Sequence, residues 1–317
     1  MSTHRETLPK IKNELHKAIV GQDILIDRLL VALLADGHIL LEGVPGLAKT
    51  RTLVSLTKVI GAQMNRIQFT PDLLPSDVVG TEVYRPQTGE FMLRKGPVFT
   101  NLLLADEINR APAKVQSALL QAMQERCVTI GDTTMHLPTP FMVLATQNPL
   151  EQEGTYPLPE AQVDRFLMKV IVGYPSFDEE VAIVNLSSTN ASEPPSLEKL
   201  VSIEDILALR SAAQATYVDP KIDRYIVSLV QGTRNGDPYG LKGIIEWGAS
   251  PRASIALKVC ARALAYLRGR EFVTPDDVKE IAPDVLRHRV IVTFDGESRG
   301  ITSDDVVKTL LASVTVP

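Results

Sequence analysis

Aromatic residues are scarce, at 5% of 317 positions. Little material is therefore available for the stacked rings on which single-stranded nucleic acid is held. The two cysteines, Cys127 and Cys260, lie far apart in sequence, and the five histidines (His4, His16, His38, His136 and His288) are scattered. Neither set has metal-ligand spacing, so no structural metal or disulfide is expected. No apolar run approaches the ~18–20 residues that span a bilayer; Leu29–Leu34 and Ile39–Leu41 are interrupted by Asp36, Gly37 and His38. The N-terminal stretch carries Arg5, Glu6, Lys10, Lys12 and Glu14 instead of the apolar core of a secretory signal. Excess positive charge is also missing: the net charge of −5 argues against broad binding to phosphate backbones. These absences point to a cytosolic protein with no membrane segment and no nucleic-acid partner.

What is present is an ordinary globular composition, 44% apolar and 22% charged, on a chain long enough for two packed units. Helical spacing of Ile11, Leu15, Ala18 and Ile19, and then of Ile24, Ile26, Leu29, Leu30 and Leu33, predicts helices on either side of Val20-Gly21-Gln22. Short apolar runs at His38–Glu42, Asn101–Ala105, Phe141–Ala145 and Lys169–Val172 predict four strands. They alternate with helices at Lys49–Ile60 and Pro112–Glu125, the pattern of a parallel sheet covered on both faces. Two segments look like inserted hairpins: Val78–Val98, turning at Pro86–Gly89, and Cys127–Leu137, turning at Gly131-Asp132. A boundary is expected at Ser187–Ser196, where Ser, Asn, Glu, Pro194 and Pro195 cluster. Beyond it the sequence predicts helices only, at Ile203–Thr216, Lys221–Thr233, Arg252–Leu267 and Pro275–His288. The expected organisation is an α/β domain over residues 1–189 and a smaller all-α domain over 197–317.

The strongest chemical signal is Gly43-Val44-Pro45-Gly46-Leu47-Ala48-Lys49-Thr50, between a strand and a helix. A phosphate chain needs inward-facing backbone N–H groups and a helix N-terminus aimed at it. Lys49 would neutralise phosphate charge and Thr50 would hold Mg²⁺. Ala48 stands where a Gly is usually written, which is tolerable if that position is already helical. The second signal is Leu102–Glu107, an apolar strand delivering two acids at its C-terminal end, the edge where parallel sheets bind ligands. Asp106 suits Mg²⁺ and Glu107 suits activation of water. The third is the strand ending Ala145-Thr146-Gln147-Asn148-Pro149, whose amide could orient that water. Leu158–Phe166 follows, and its Arg165 either reaches a neighbouring subunit or pairs locally with Asp164 or Glu160.

Gly43–Thr50, Leu104–Pro112, Ala145–Pro149 and Leu158–Phe166 together resemble the MoxR family of AAA+ ATPases, in family order over nearly the whole chain. The resemblance implies a P-loop AAA+ core with inserted β-hairpins and a helical lid. Its cofactors would be ATP and Mg²⁺, and its activity ATP hydrolysis by a ring, usually of six subunits. It extends to Ile19-Val20-Gly21-Gln22, where Val20 and Gly21 would lie on the adenine side, and to Gly248–Ala253 in the lid. It implies Asn148 as sensor 1, Arg252 as sensor 2 and Arg165 as a finger acting in trans, with Arg110 as another candidate for the finger. The hairpins would face the ring's pore, where Tyr84, Phe91 and Met92 either grip a protein segment or pack locally. The implied partners are further copies of the chain, a client protein and a separate von Willebrand factor A domain protein. Two other readings are a nucleotide-gated scaffold and a magnesium-chelatase-like subunit.

Overall fold

In a computed structural model the described residues are 6–43, 49–149, 154–189 and 196–316. Two helices, α1 (Thr7–His16) and α2 (Asp23–Leu34), precede strand β1 (Ile39–Glu42). The chain then alternates: α3 (Lys49–Ile60), β2 (Met64–Gln68), α4 (Pro75–Val79), a hairpin of β3 (Gly80–Arg85) and β4 (Glu90–Lys95), and β5 (Leu102–Asp106). After α5 (Ala113–Glu125) come the second hairpin, β6 (Cys127–Ile130) with β7 (Thr133–His136), then β8 (Met142–Gln147), α6 (Glu160–Val163), β9 (Met168–Ile171) and α7 (Phe177–Thr189). The expected boundary at Ser187–Ser196 begins in the last turn of α7, and its residues 190–195 lie outside the described residues.

Five strands form one parallel sheet in the order β2-β5-β8-β1-β9. Successive side chains of a strand point to opposite faces, and both faces here are buried. Ile39, Leu41, Leu102, Leu104, Met142 and Leu144 enter one apolar cluster. Leu40, Leu103, Ala105, Val143 and Ala145 enter the other, with α5 and the two hairpins. That double burial is why these strands read as unbroken apolar runs. The edge strand β2, Met-Asn-Arg-Ile-Gln, has only Ile67 buried and is a fifth strand that the sequence pattern did not reveal.

The C-terminal part is helical, and its helix starts follow from local chemistry. In α8 (Ile203–Gln214) Ser202 and Asp205 form a capping box. Before α9 (Pro220–Arg234) and α10 (Pro251–Leu267), Asp219 and Ser250 cap a helix whose first residue is proline. Thr274 with Asp277 opens α11 (Pro275–Leu286), and Thr302 with Asp305 opens α13 (Ser303–Ser313), which follows the short α12 (Phe294–Ser298). The all-helical expectation needs one addition, an antiparallel pair of β10 (Ile245–Trp247) and β11 (Ile291–Val292).

The helical part shares the apolar cluster of the first sheet face. Helix α2 lies between the two layers, touching β9 on one side and α8 and α10 on the other, and Leu25, Ile26 and Leu29–Leu34 are all buried. A helix apolar nearly all round is what such a position requires; Ile24 departs from the expected stripe and is 65% exposed. Polar rivets cross the same seam. Arg28 on α2 donates to Asp284 at 2.6 Å and to Glu280 at 3.3 Å. Arg287 donates to Lys169 O, and His288 bonds Phe166 O.

Within the helical part, Asp277 is fully buried. It accepts hydrogen bonds from the Arg270 guanidinium and from Thr274 N and Oγ1, the last two at 2.8 and 2.9 Å. Burial pushes its carboxyl up, but the Arg270 and Thr274 bonds outweigh that and hold it below 3.8. Breaking a buried pair from one side leaves a charge uncompensated, so Asp277→Asn is expected to cost about 3 kcal/mol. A carboxyl with a depressed folded pKa stabilises above its unfolded value and loses that contribution as pH falls through the folded one. The gap in urea midpoint between wild type and Asp277→Asn should therefore hold from neutral pH down to the ordinary aspartate range and shrink below it.

Candidate functional site

The C-terminal edge of the sheet gathers the first set of predicted residues. Gly43 directly follows β1 and is fixed there by its N–H donating to Gln147 O at 3.3 Å. A side chain would not fit, since a Cβ on Gly43 would lie 2.6 Å from Val172 O. Of the predicted phosphate loop, Val44, Pro45, Gly46, Leu47 and Ala48 lie outside the described residues. Lys49 and Thr50 form the first turn of α3, and Lys49 Nζ donates to Gly43 O at 2.5 Å. Burial lowers the Lys49 pKa, opposed by the carboxylates of Asp106, Glu42 and Glu107. Val20 and Gly21 follow α1 and come to the same edge. Gly21 has φ +63°, and a Cβ there would collide with Glu179 of α7, just beyond β9.

Asp106 ends β5, and Glu107 follows with φ 56° and ψ 50°, a left-handed conformation uncommon for a residue with a side chain. Thr146 of β8 ties the two together. Its hydroxyl donates to Asp106 Oδ1 at 2.6 Å and accepts from Glu107 N–H at 2.9 Å. From the neighbouring edge strand β2, Arg66 and Gln68 point to the same side because they are two residues apart. Arg66 donates to Asp106 Oδ2 at 2.7 Å and to Gln68 Oε1 at 3.2 Å, while Gln68 Nε2 donates to Glu107 Oε2 at 2.8 Å. Arg110 donates to the same Glu107 oxygen at 2.9 Å. The side chains of Arg66 and Arg110 are 51% and 41% exposed, and ion pairs of that kind are worth ~0–1 kcal/mol. Both acids are therefore held in place yet are open to exchange partners with a ligand. Asn148, buried just after β8, lines a cleft on this edge with Glu42, Gln147 and Lys169.

The residues present fit a nucleoside triphosphate with a divalent cation. A lysine, a hydroxyl and two carboxylates converge beside a helix start and a glycine with no room for a side chain, which is hard-oxygen donor chemistry with a cation for phosphate. Sequence reasoning missed Arg66, Gln68 and Thr146. The first two lie on the strand that was not read, and the third is a single hydroxyl inside a motif whose Asn drew attention.

The remaining two predicted residues, Arg165 and Arg252, lie at the other end of the sheet. They line one pocket with His38, Met123, Gln124 and Asp164, where the strands begin. Asp164 is held there by Arg289 Nε at 2.6 Å, by Ser250 Oγ at 3.3 Å and by Arg252 at 3.5 Å. Asp164, one of the two local partners considered for Arg165 beside Glu160, is thus engaged by arginines of the helical part. His38 fixes this end. Val143 N–H donates to Nδ1 at 3.0 Å, so Nε2 carries the proton and bonds Met123 O at 3.2 Å. Burial and then Arg126 push its pKa down to about 3, leaving it neutral.

The hairpin residues Tyr84 and Phe91 are exposed and pack against one another with their rings tilted, centroids 5.3 Å apart and planes at 53°, while Lys95 lies over the Phe99 ring at 5.1 Å.

Comparison with known proteins matches both the sheet-bearing part and the helical part of the chain. Residues 38–168 match the ATPase family associated with various cellular activities (AAA), and residues 242–310 match the AAA lid domain. The chain is 49% identical to chaperone MoxR1 of Mycobacterium tuberculosis, over 98% of this chain and 82% of that one. It is 30% identical to protein MoxR of Methylorubrum extorquens, over 99% and 96%. A crystal structure of a candidate ATPase from Cytophaga hutchinsonii superposes with a TM-score of 0.93 at 47% identity, covering 99% of this chain and 96% of that one. Among the described residues no helix is long and apolar enough to cross a membrane. With its parallel core, helical lid and these relatives, the chain belongs to the MoxR family of AAA+ ATPases.

Proposed function

We propose that this chain is a ring-forming, ATP-hydrolysing remodelling enzyme, built as a homohexamer of a nucleotide-binding domain (1–189) and a lid (197–317). It acts in the cytoplasm on client proteins together with a separate von Willebrand factor A domain protein. One observation carries the reading. Lys49, Asp106 and Glu107 lie at one end of the sheet, while Arg165 and Arg252 lie at the other. The four residues of β1 alone span ~13 Å, farther than an arginine side chain reaches. A site using both sets therefore needs two subunits, each presenting its arginines to the next.

In that site Val20 and Gly21 would bound the base, Lys49 and the Gly43–Thr50 segment would hold the phosphates, and Thr50 and Asp106 would hold Mg²⁺. Bound Mg²⁺ would neutralise charge between the phosphate oxygens. Glu107 takes a proton from the attacking water and Asn148 orients that water. Arg165 and Arg252 of the neighbour stabilise the charge that develops.

The test is ATP turnover per subunit across a protein-concentration series. Assembly is governed by mass action, so turnover per subunit should rise with concentration and level off when rings are complete. A flat profile down to concentrations at which the chain is monomeric would favour a self-contained site, as in a nucleotide-gated scaffold with slow hydrolysis.

A further inference from the structure

Asp106 and Glu107 are adjacent in sequence but must do different work, one beside a cation and the other beside a water. What keeps them apart is visible in the hydrogen bonding. A carboxylate only accepts, so the Thr146 proton points to Asp106 Oδ1 and its lone pair faces the Glu107 N–H. The chain of bonds therefore runs Glu107 N–H to Thr146 Oγ1, and Thr146 O–H to Asp106 Oδ1. It does two things at once. It turns one oxygen of Asp106 inward, leaving Oδ2, where Arg66 sits, as the oxygen facing outward. It also satisfies the peptide N–H that the left-handed turn at Glu107 carries away from the strand ladder. Thr146 is 2% exposed and stands on a central strand flanked by β5 and β1. Its branched side chain is stiff about χ1. The hydroxyl is thus held by the core of the sheet rather than by a loop.

From this geometry we infer that Thr146 is a positioning residue of the ATPase site, setting the orientation of the cation-holding and water-activating carboxylates through one hydroxyl. The inference rests on the assignment of Asp106 and Glu107 under the proposed function. Removing an outer partner of a cation-holding carboxylate costs ~10–100-fold in metal affinity or activity.

The experiment compares full-length wild type, Thr146→Val, Thr146→Ser and Glu107→Gln. Steady-state turnover is followed over a Mg²⁺ titration, alongside binding of a fluorescent ATP analogue in EDTA. Thr146→Val should lower the maximal rate ~10–100-fold and raise the Mg²⁺ concentration for half-maximal rate. Its metal-free nucleotide affinity should stay within about threefold, because phosphate holding by Lys49 does not pass through this hydroxyl. Thr146→Ser, which keeps the hydroxyl and loses only a methyl, should recover most of both quantities. If Thr146→Val does not fold, Thr146→Ala makes the same contrast with Thr146→Ser. Two outcomes overturn the inference: a Thr146→Val or Thr146→Ala enzyme with wild-type rate and Mg²⁺ dependence, or a Thr146→Ser enzyme as impaired as they are. In either case a dead Glu107→Gln enzyme would leave the proposed function standing. A Glu107→Gln enzyme that hydrolyses normally would remove the assignment on which the inference rests.

Discussion

Glu107→Gln should bind ATP as wild type does and hydrolyse it ~10²–10⁴-fold more slowly, the usual contribution of a positioned general base. The substitution is isosteric and acts on one property, the ability to take a proton. A glutamine still offers Arg110 and Gln68 an oxygen to bond, so the side chain keeps its place at the strand end. What it loses in charge pairing is small, because the Arg110 side chain is 41% exposed and such pairs contribute ~1 kcal/mol at most. The left-handed backbone at residue 107 is held by the Thr146 hydroxyl and not by the carboxylate. The fold and the phosphate contacts have no reason to change. Equilibrium ATP binding and single-turnover hydrolysis on the same preparation separate the two effects. A variant that binds ATP and turns it over at the wild-type rate would place the base elsewhere. Loss of binding together with turnover would mean that Glu107 shapes the pocket rather than the chemistry.

The central part of this architecture was legible because its signals are local. Leu102–Ala105 and Met142–Ala145 are buried on both faces, so each appears in the sequence as a continuous apolar run, and the acids at 106 and 107 follow directly. The helix over Lys49–Ile60 was legible from its helical apolar stripe, Leu53, Leu56 and Val59, which is buried. Strand β2 was not legible. It lies at the sheet edge, and its five residues, Met-Asn-Arg-Ile-Gln, form neither an apolar run nor a polar–apolar alternation, so no periodicity stands out. The residues it carries, Arg66 and Gln68, were lost with it, although they touch both acids.

The placement of Arg252 was illegible for a different reason. The helix that carries it is readable from Ser250-Pro251 onward, but where the helix sits depends on contacts more than eighty residues away. Arg289 and Ser250 converge on Asp164, and Arg28 reaches across to Asp284. Two of these contacts are made by arginines buried at a seam, Arg28 and Arg289, and nothing in local composition distinguishes them from solvated ones. They fix the helical part against the start of β9, so Arg252 joins Arg165 instead of facing Lys49 of its own chain.

That arrangement makes the sharing of sites between subunits measurable. Arg165→Ala alone should lower turnover by at least ~10³, the lower end of the range for an arginine finger in other NTPases, while ATP binding survives because Lys49 and the loop are untouched. Mixed with Glu107→Gln, it should regain activity. A site formed by the Glu107 of an Arg165→Ala subunit and the Arg165 of a Glu107→Gln subunit contains both groups. In a head-to-tail ring assembled at random from equal amounts, about one interface in four is of that kind, so up to about a quarter of wild-type turnover per subunit should return. The recovery should appear only after subunits exchange, and dilution to monomers should abolish it. No recovery in a mixture shown to co-assemble would mean that Arg165 acts within its own chain or through the fold. In the structure that would require the Leu158–Phe166 segment to leave the seam where Phe166 O and Asp164 are held by Arg289. A change in thermal stability on Arg165→Ala would report such a structural role, whereas a finger that acts only on the neighbour leaves the isolated subunit's melting temperature where it was.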